Sequence, residues 1–199
     1  MKALDLRSAL AQNLRRFDRR MSPRPLILAA VAVVLLHDEG RPCVPIFQRT
    51  LAMSRHAGQM ALPGGKVHAG EDARECALRE LHEELGLEAG DADVLGLLDD
   101  FDTRSGFTIT PVVVWSGAEA ATLRPSASEV GKLYVIGVSD LRDAVAAAPP
   151  GTSPSFSLRL RRVEVFAPTG AILYQFSEVA LEGRADRVAD FYQPPFTHR

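Results

Sequence analysis

The chain has 199 residues, enough for one sizeable core, and its 46% hydrophobic and 24% charged content, with 15 Gly and 13 Pro, excludes the disordered, collagenous and low-complexity classes. The net charge of −2 conceals a gradient: residues 1–25 carry seven Lys or Arg against Asp5 and Asp18. Residues 71–102 instead hold twelve acids against Arg74 and Arg79, a sign that opposes a nucleic-acid groove and suits a bound cation.

Leu4, Leu6, Leu10, Leu14 and Phe17 recur at helical spacing, so residues 1–25 are expected to form a basic amphipathic arm, helical until Ser22-Pro23, packed on a domain of residues 26–199. Its arginines read as a solvated face. Residues 26–36 are the longest apolar run, too short for the ~18–20 residues that span a bilayer, and read as a buried strand. With residues 43–48 they bracket the turn at residues 37–41, a hairpin. Residues 94–100 and 107–115 read as a second hairpin around Arg104-Ser105-Gly106. A strand over residues 133–138 follows, then a helix capped by Ser139 and running to about Ala147. Residues 157–166 alternate like a strand, and residues 176–191 are expected to be the last helix. Strands and helices mix without regular alternation, which predicts an α/β (α+β) fold, a mixed sheet flanked by helices.

Cys43 and Cys76 are the only cysteines, without a CxxC pair, so neither a disulfide framework nor a thiolate zinc site is expected and a reducing cytoplasmic setting is the default. Cys76 reads as a packing residue, and His56 and His68, lacking a second His at metal spacing, as hydrogen-bonding residues.

The chemistry concentrates in residues 63–87. Asp72 with Glu75 has the form of a capping box, starting a helix near Ala73 that Gly86 can end. Glu80, Glu83 and Glu84 then stand at i, i+3 and i+4 on one face, while Ala77, Leu78, Leu81 and Leu85 anchor the other. Like charges so placed destabilise an isolated helix unless solvent screens them or a cation binds them.

Gly65, Glu71, Arg79, Glu80, Leu81, Glu83, Glu84, Gly86 and Leu87 follow the pattern G-x5-E-x7-R-E-U-x-E-E-x-G-U, with U a bulky aliphatic residue. This resembles the Nudix hydrolase signature at every position. At about one in fifteen for each fixed residue, chance agreement is on the order of 10⁻⁸ per start position. The resemblance implies an α/β/α sandwich with a mixed sheet, and hydrolysis of a nucleoside diphosphate derivative with Mg²⁺ or Mn²⁺. It further implies Glu80 and Glu84 as metal ligands, with Glu83 and the Gly65 carbonyl as further candidates. Arg79 and Glu71 would orient them. For the general base, family members use either a box glutamate, for which Glu83 is the candidate, or a distant one, for which Glu129 is.

Upstream, Arg49, Gly58, Pro63, Gly64 and Gly65 fall in register with LLTxRSxxxRxxxGxxxFPGG, the accessory motif of the coenzyme A pyrophosphatase branch. Thr50, Ser54 and Leu62 depart from it, with Arg55 beside the expected second arginine, and residues 56–59 resemble a branch variant. The resemblance implies coenzyme A or a derivative as substrate, with Arg49, Arg55, Gln59 and Gly64 binding it. Two alternatives stay open, another substrate such as ADP-ribose or NADH, and a non-catalytic nucleotide-binding module. The expected partner is a small nucleotide, not nucleic acid or membrane; a homodimer is left open.

Overall fold

The computed structural model describes residues 3–52 and 56–198. Along the chain run α1 (Ala3–Arg16), β1 (Ile27–Asp38), β2 (Arg41–Arg49), β3 (Met60–Ala61), β4 (Gly64–Lys66), α2 (Ala73–Leu85), β5 (Val94–Leu97) and β6 (Phe101–Asp102). Then follow β7 (Phe107–Glu119), β8 (Val130–Gly137), α3 (Val138–Ala146), β9 (Leu158–Leu160), β10 (Val163–Val165) and α4 (Thr169–Gln175).

The sheet is mixed, as expected. β1 and β2 form the first hairpin, turning through Glu39 and Gly40, both at positive φ, the backbone that two-residue hairpin turns need. β7 lies parallel to β1 from Ile27 beside Phe107 to Leu35 beside Trp115, and β5 and β6 pair antiparallel with β7 as the second hairpin. β8 pairs with the outer side of β2, while the three residues of β4 pair with β1 at Ala29–Val31.

The residues of β1 alternate between two cores. Ala30, Ala32, Val34 and Leu36 face α2, whereas Val33 and Leu35 face the layer containing α1, α3 and α4. A strand buried on both faces reads as an unbroken apolar run, which is why the alternation is invisible in sequence.

Helix α1 buries Leu6, Leu10 and Leu14 in the second core and packs against β5 and the turn Phe176–Leu181 that follows α4. It stops at Arg16, six residues before Ser22-Pro23, because the following segment takes its hydrogen bonds from elsewhere. Arg19 pairs with Asp100 at 2.6 Å and donates to the Leu98 carbonyl, the Arg20 amide donates to Asp99, and Ser22 bonds to Asp100 and Asp102. Asp99 also receives Arg187 and Gln175. Three of the twelve acids thus tie the N- and C-terminal segments to the sheet rather than facing a cation, and Arg19 is no solvated face. Leu10→Ala should cost about 2–5 kcal/mol, read from denaturant unfolding, as expected for a fully buried leucine.

Three local expectations are corrected. The cap of α3 is Gly137, and Ser139 lies inside the first turn. Residues 157–166 are two short strands, turned by Arg161 at φ 51. The last helix begins at Thr169 and widens into a π-turn over Phe176–Leu181, ending before Gly183 at φ 70. Both of its segments are buried nearly all round, so no amphipathic period marks where it starts.

Candidate active site

Helix α2 forms where its capping chemistry says it must. The Asp72 carboxylate accepts from the Arg74 and Glu75 amides, the Glu75 carboxylate accepts from the Asp72 amide, and Gly86 ends the helix at φ 64. Cys76, Ala77, Leu81 and Leu85 are fully buried against the β1 side chains that face this layer, which fixes the helix's rotation. The glutamates are held by that rotation at the edge of β4.

Arg79 is the hub of the carboxylates. Its guanidinium grips Glu71 through two bonds of 2.8 and 3.1 Å, and its Nη1 donates to Glu80 at 2.7 Å and to Glu83 at 3.1 Å. The same group donates to the Lys66 carbonyl, tying the helix to β4. Arg79 thereby holds the Glu71 carboxyl down to about 2, and the carboxylates in turn raise the guanidinium. One cation offsets part of the repulsion among three acids and sets their orientation.

Glu84 differs from the others because it is completely buried. Its Oε2 accepts from the Gly64 amide at 2.9 Å, and its Oε1, 3.7 Å from Arg49 Nη1, has no hydrogen-bond partner. Burial pushes its carboxyl up to about 8, with Glu80 and Glu129 acting in the same direction. Burial thus disfavours the charged form of this carboxyl, the Gly64 amide and Arg49 favour it, and its unpartnered oxygen is what a hard cation takes as a ligand.

The two glycines of β4 let the helix approach this closely. A Cβ on Gly65 would lie 2.1 Å from Glu80 Oε1, so the Glu80 carboxylate occupies the space that any larger residue would fill. On Gly64 a Cβ would meet the Ala30 carbonyl at 2.4 Å, a backbone clash within the sheet. Buried Glu84, with one oxygen unpartnered, and Glu80 against Gly65 therefore fit a divalent cation chemically. Among the described residues, no three acid, imidazole or thiol side chains converge into a closed cage, since Arg79 lies between Glu80 and Glu83.

The remaining expected residues fall around this centre. Glu83 is half exposed, on Arg79. Glu129 lies ahead of β8, its carbonyl accepting from the Thr50 amide, near enough to Glu84 to disfavour ionisation there. Arg49 closes β2, with its Nε buried and without a partner. Arg55 and Ser54 lie outside the described residues. Gln59 bonds His56 and the Phe196 carbonyl, and the His68 amide donates to Glu71. Cys76 is buried, its thiol pushed up to about 11 by burial, and donates to the Gly65 carbonyl.

Beside the glycines lies a cavity of about 680 Å³, within the range of small-molecule sites. Gly64, Gly65, Lys66 and Arg49 border it, so Arg49 reaches both the cavity and Glu84. Its far wall comes from the C-terminal fifth of the chain, where Phe166 and Phe196 pack edge-to-face at 5.0 Å and Thr169 donates to the Met60 carbonyl. Sequence reasoning did not find this wall. Two isolated phenylalanines thirty positions apart carry no periodic signal.

Comparison with known proteins converges on the same region. Residues 26–150 match the NUDIX domain. A protein described as "Uncharacterized Nudix hydrolase NudL" in Pectobacterium atrosepticum is 35% identical over 133 residues, 63% of this chain and 68% of that protein. The mitochondrial coenzyme A diphosphatase NUDT8 of Mus musculus is 35% identical over 133 residues, 65% of this chain and 63% of its own length. Its human counterpart is 34% identical over 125 residues, 61% and 52% of the two chains, so the alignment spans under two thirds of both NUDT8 proteins. A Caenorhabditis elegans Ap4A hydrolase complex superposes with a TM-score of 0.51 at 16% identity, covering 75% of this chain and 95% of that one, an agreement of fold alone. Because the matched domain takes in the sheet, the glycine strand and the whole of α2 with its glutamates, this chain belongs to the Nudix hydrolase family.

Proposed function

We propose that the chain is a divalent-metal-dependent diphosphatase that cleaves coenzyme A or a derivative into 3′,5′-ADP and 4′-phosphopantetheine. The observation that carries the catalytic part is Glu84, a buried carboxylate with one oxygen unpartnered, between a backbone amide and Arg49. The substrate part rests on the likeness to the coenzyme A diphosphatases and on the arginine-glycine spacing upstream of the box.

In this reading Glu80 and Glu84 hold the ion, with Glu83 and the Gly65 carbonyl supplementing them. Bound there, Mg²⁺ or Mn²⁺ would supply Lewis-acid charge for the diphosphate and lower the pKa of a water. Water adds across the anhydride, its hydroxyl going to one phosphorus and its proton, taken first by Glu129 or Glu83, to the departing phosphate. Arg79 and Glu71 position the carboxylates without touching substrate. Arg49, with Arg55, supplies the guanidinium that a 3′-phosphate requires, since the box itself is acidic.

The test is a panel of coenzyme A, dephospho-coenzyme A, ADP-ribose and NADH with Mg²⁺ or Mn²⁺, with products identified by chromatography. Coenzyme A should give 3′,5′-ADP. Rapid cleavage of ADP-ribose or NADH with coenzyme A untouched would replace the substrate and leave the catalytic reading standing, whereas binding without cleavage of any of them would favour a nucleotide-binding module. Arg49→Ala should lower kcat/KM for coenzyme A about 10- to 150-fold, the loss of a charge-assisted contact of ~1.5–3 kcal/mol, and affect dephospho-coenzyme A less.

A further inference from the structure

Arg49 has a fixed backbone and a loosely held side chain. Its amide donates to the Gln59 carbonyl at 2.9 Å, its carbonyl accepts from the Gly58 amide at 3.1 Å, and on the other side of β2 it pairs with Val130 of β8. The guanidinium is held less firmly. Its Nε is buried without a hydrogen-bond partner, and Nη1 stands 3.7 Å from Glu84 Oε1, beyond hydrogen-bond reach. Arg79, by contrast, is committed through direct bonds to Glu71, Glu80 and Glu83.

Two buried polar atoms without hydrogen-bond partners, Arg49 Nε and Glu84 Oε1, thus belong to residues of opposite charge that face each other. Only 19% of the Arg49 side chain is exposed, and that residue also borders the cavity. Attraction across 3.7 Å does not replace the hydrogen bonds that water gave either group. Each is suited to a further ligand, Glu84 to a cation and Arg49 to an anion in the cavity. The two ligands cannot bind independently. A divalent ion on Glu84 Oε1 competes with the guanidinium for one oxygen, and like charges repel strongly where water screens them poorly. An anion that draws the guanidinium towards the cavity relieves that repulsion.

We propose that Arg49 couples ion and substrate, opposing a divalent ion at Glu84 until a phosphate group in the cavity takes up its charge, so that ion and phosphate bind cooperatively. The coupling rests on the reading of Glu84 as a metal ligand and makes Arg49 a positioning residue as well as a phosphate contact. Its sign is unusual for a conserved-charge contact in that removing the side chain improves metal binding. A neutral residue at position 49 takes away both the attraction that occupies Glu84 and the repulsion felt by the ion. Both changes tighten the ion. Coupling of this kind is reciprocal, and an Arg49-dependent factor of about tenfold lies within the range of about 5- to 150-fold seen between coupled sites.

Calorimetric titration of the full chain with Mn²⁺, alone and with saturating AMP or 3′,5′-ADP, tests this without turnover. Arg49→Met should bind Mn²⁺ alone about tenfold tighter than wild type, and the nucleotide should tighten Mn²⁺ at least about tenfold more in wild type than in the variant. Arg49→Lys keeps the charge and should stay near wild type in both respects. Damage to packing would weaken Mn²⁺ binding, so a gain separates coupling from a merely structural role. Arg49→Gln, neutral but polar, provides the same comparison if Arg49→Met does not fold. Mn²⁺ affinity that is unchanged or weaker in the folded neutral variant overturns the coupling, as does a nucleotide effect equal to that in wild type. Glu84→Gln distinguishes this failure from that of the reading beneath it. If Glu84→Gln loses Mn²⁺ while the neutral Arg49 variant matches wild type, the diphosphatase reading stands and the coupling alone falls. If Glu84→Gln binds Mn²⁺ as wild type does, Glu84 is no metal ligand and both fall.

Discussion

Glu84→Gln should leave a folded protein whose turnover falls at least about 10²- to 10³-fold, the scale of losing one preorganised charge where charge develops in the transition state. The amide keeps the shape of the carboxylate, and its oxygen can still accept from Gly64, so packing in this buried site is preserved. The sign of the effect on stability is the opposite of that on activity. In the wild type, burial raises the Glu84 carboxyl from 4.5 to about 8, so between these values the folded chain holds a proton that the unfolded chain releases. Metal-free stability from this group therefore falls as pH rises from about 4.5 to about 8. Glu84→Gln has no such proton to lose, and at pH 8–9 without divalent ions it should melt above the wild type. Adding Mn²⁺ should reverse the order by stabilising the wild type and leaving the variant nearly unchanged. The Mn²⁺ gain should be larger at pH 8 than at pH 6, where protons compete for the carboxylate. Near-normal turnover of the variant, or an equal Mn²⁺ shift in both proteins, would remove Glu84 from the metal site.

The box was legible because its rules are local. A capping pair three residues apart, a glycine at the helix end and acids at i, i+3 and i+4 each fix geometry within one or two turns, and α2 follows them. What sequence spacing could not carry is the difference among those acids. Glu80, Glu83 and Glu84 look alike on a helical wheel, yet Glu83 is half exposed and Glu84 completely buried, because β4 and the end of β2 cover only one edge of the helix. Charge counting likewise grouped Asp99, Asp100 and Asp102 with the box acids, while their partners Arg19, Ser22 and Arg187 lie about eighty positions away in each direction. The last helix escaped for the reverse reason: buried on nearly every side, it offers no polar face from which to read a period. The cavity wall needs residues 49–66, 103–109 and 164–197 together, a juxtaposition that only the fold makes.

Adjacent substitutions in β4 should separate folding from chemistry. Gly64→Ala places a methyl group 2.4 Å from the Ala30 carbonyl and 2.8 Å from the Val31 Cα, atoms of the central strand that cannot move without breaking the pairing of β4 with β1. The expected result is a protein that is strongly destabilised or fails to fold, by several kcal/mol, as for other overpacked core sites. Gly65→Ala meets instead the end of one side chain, Glu80 Oε1 at 2.1 Å. A glutamate can rotate away, so the fold should survive with a loss of about 1 kcal/mol or less, within the range of a rotamer change. The displaced carboxylate leaves its 2.7 Å bond to Arg79 and the position from which it would hold the ion. Turnover should fall about 100-fold or more, since a misplacement of about 1 Å at a catalytic group has that effect. Circular dichroism and thermal melting check the fold, and initial rates with Mn²⁺ check the chemistry. A folded Gly65→Ala variant with unchanged turnover would show that the closeness of Glu80 to the glycine strand plays no part in the reaction. If Glu80 and Glu84 hold the ion as proposed, excess Mn²⁺ should restore part of the rate in Gly65→Ala, where both carboxylates are present but one is less well placed, and should restore none in Glu84→Gln, where one carboxylate is gone.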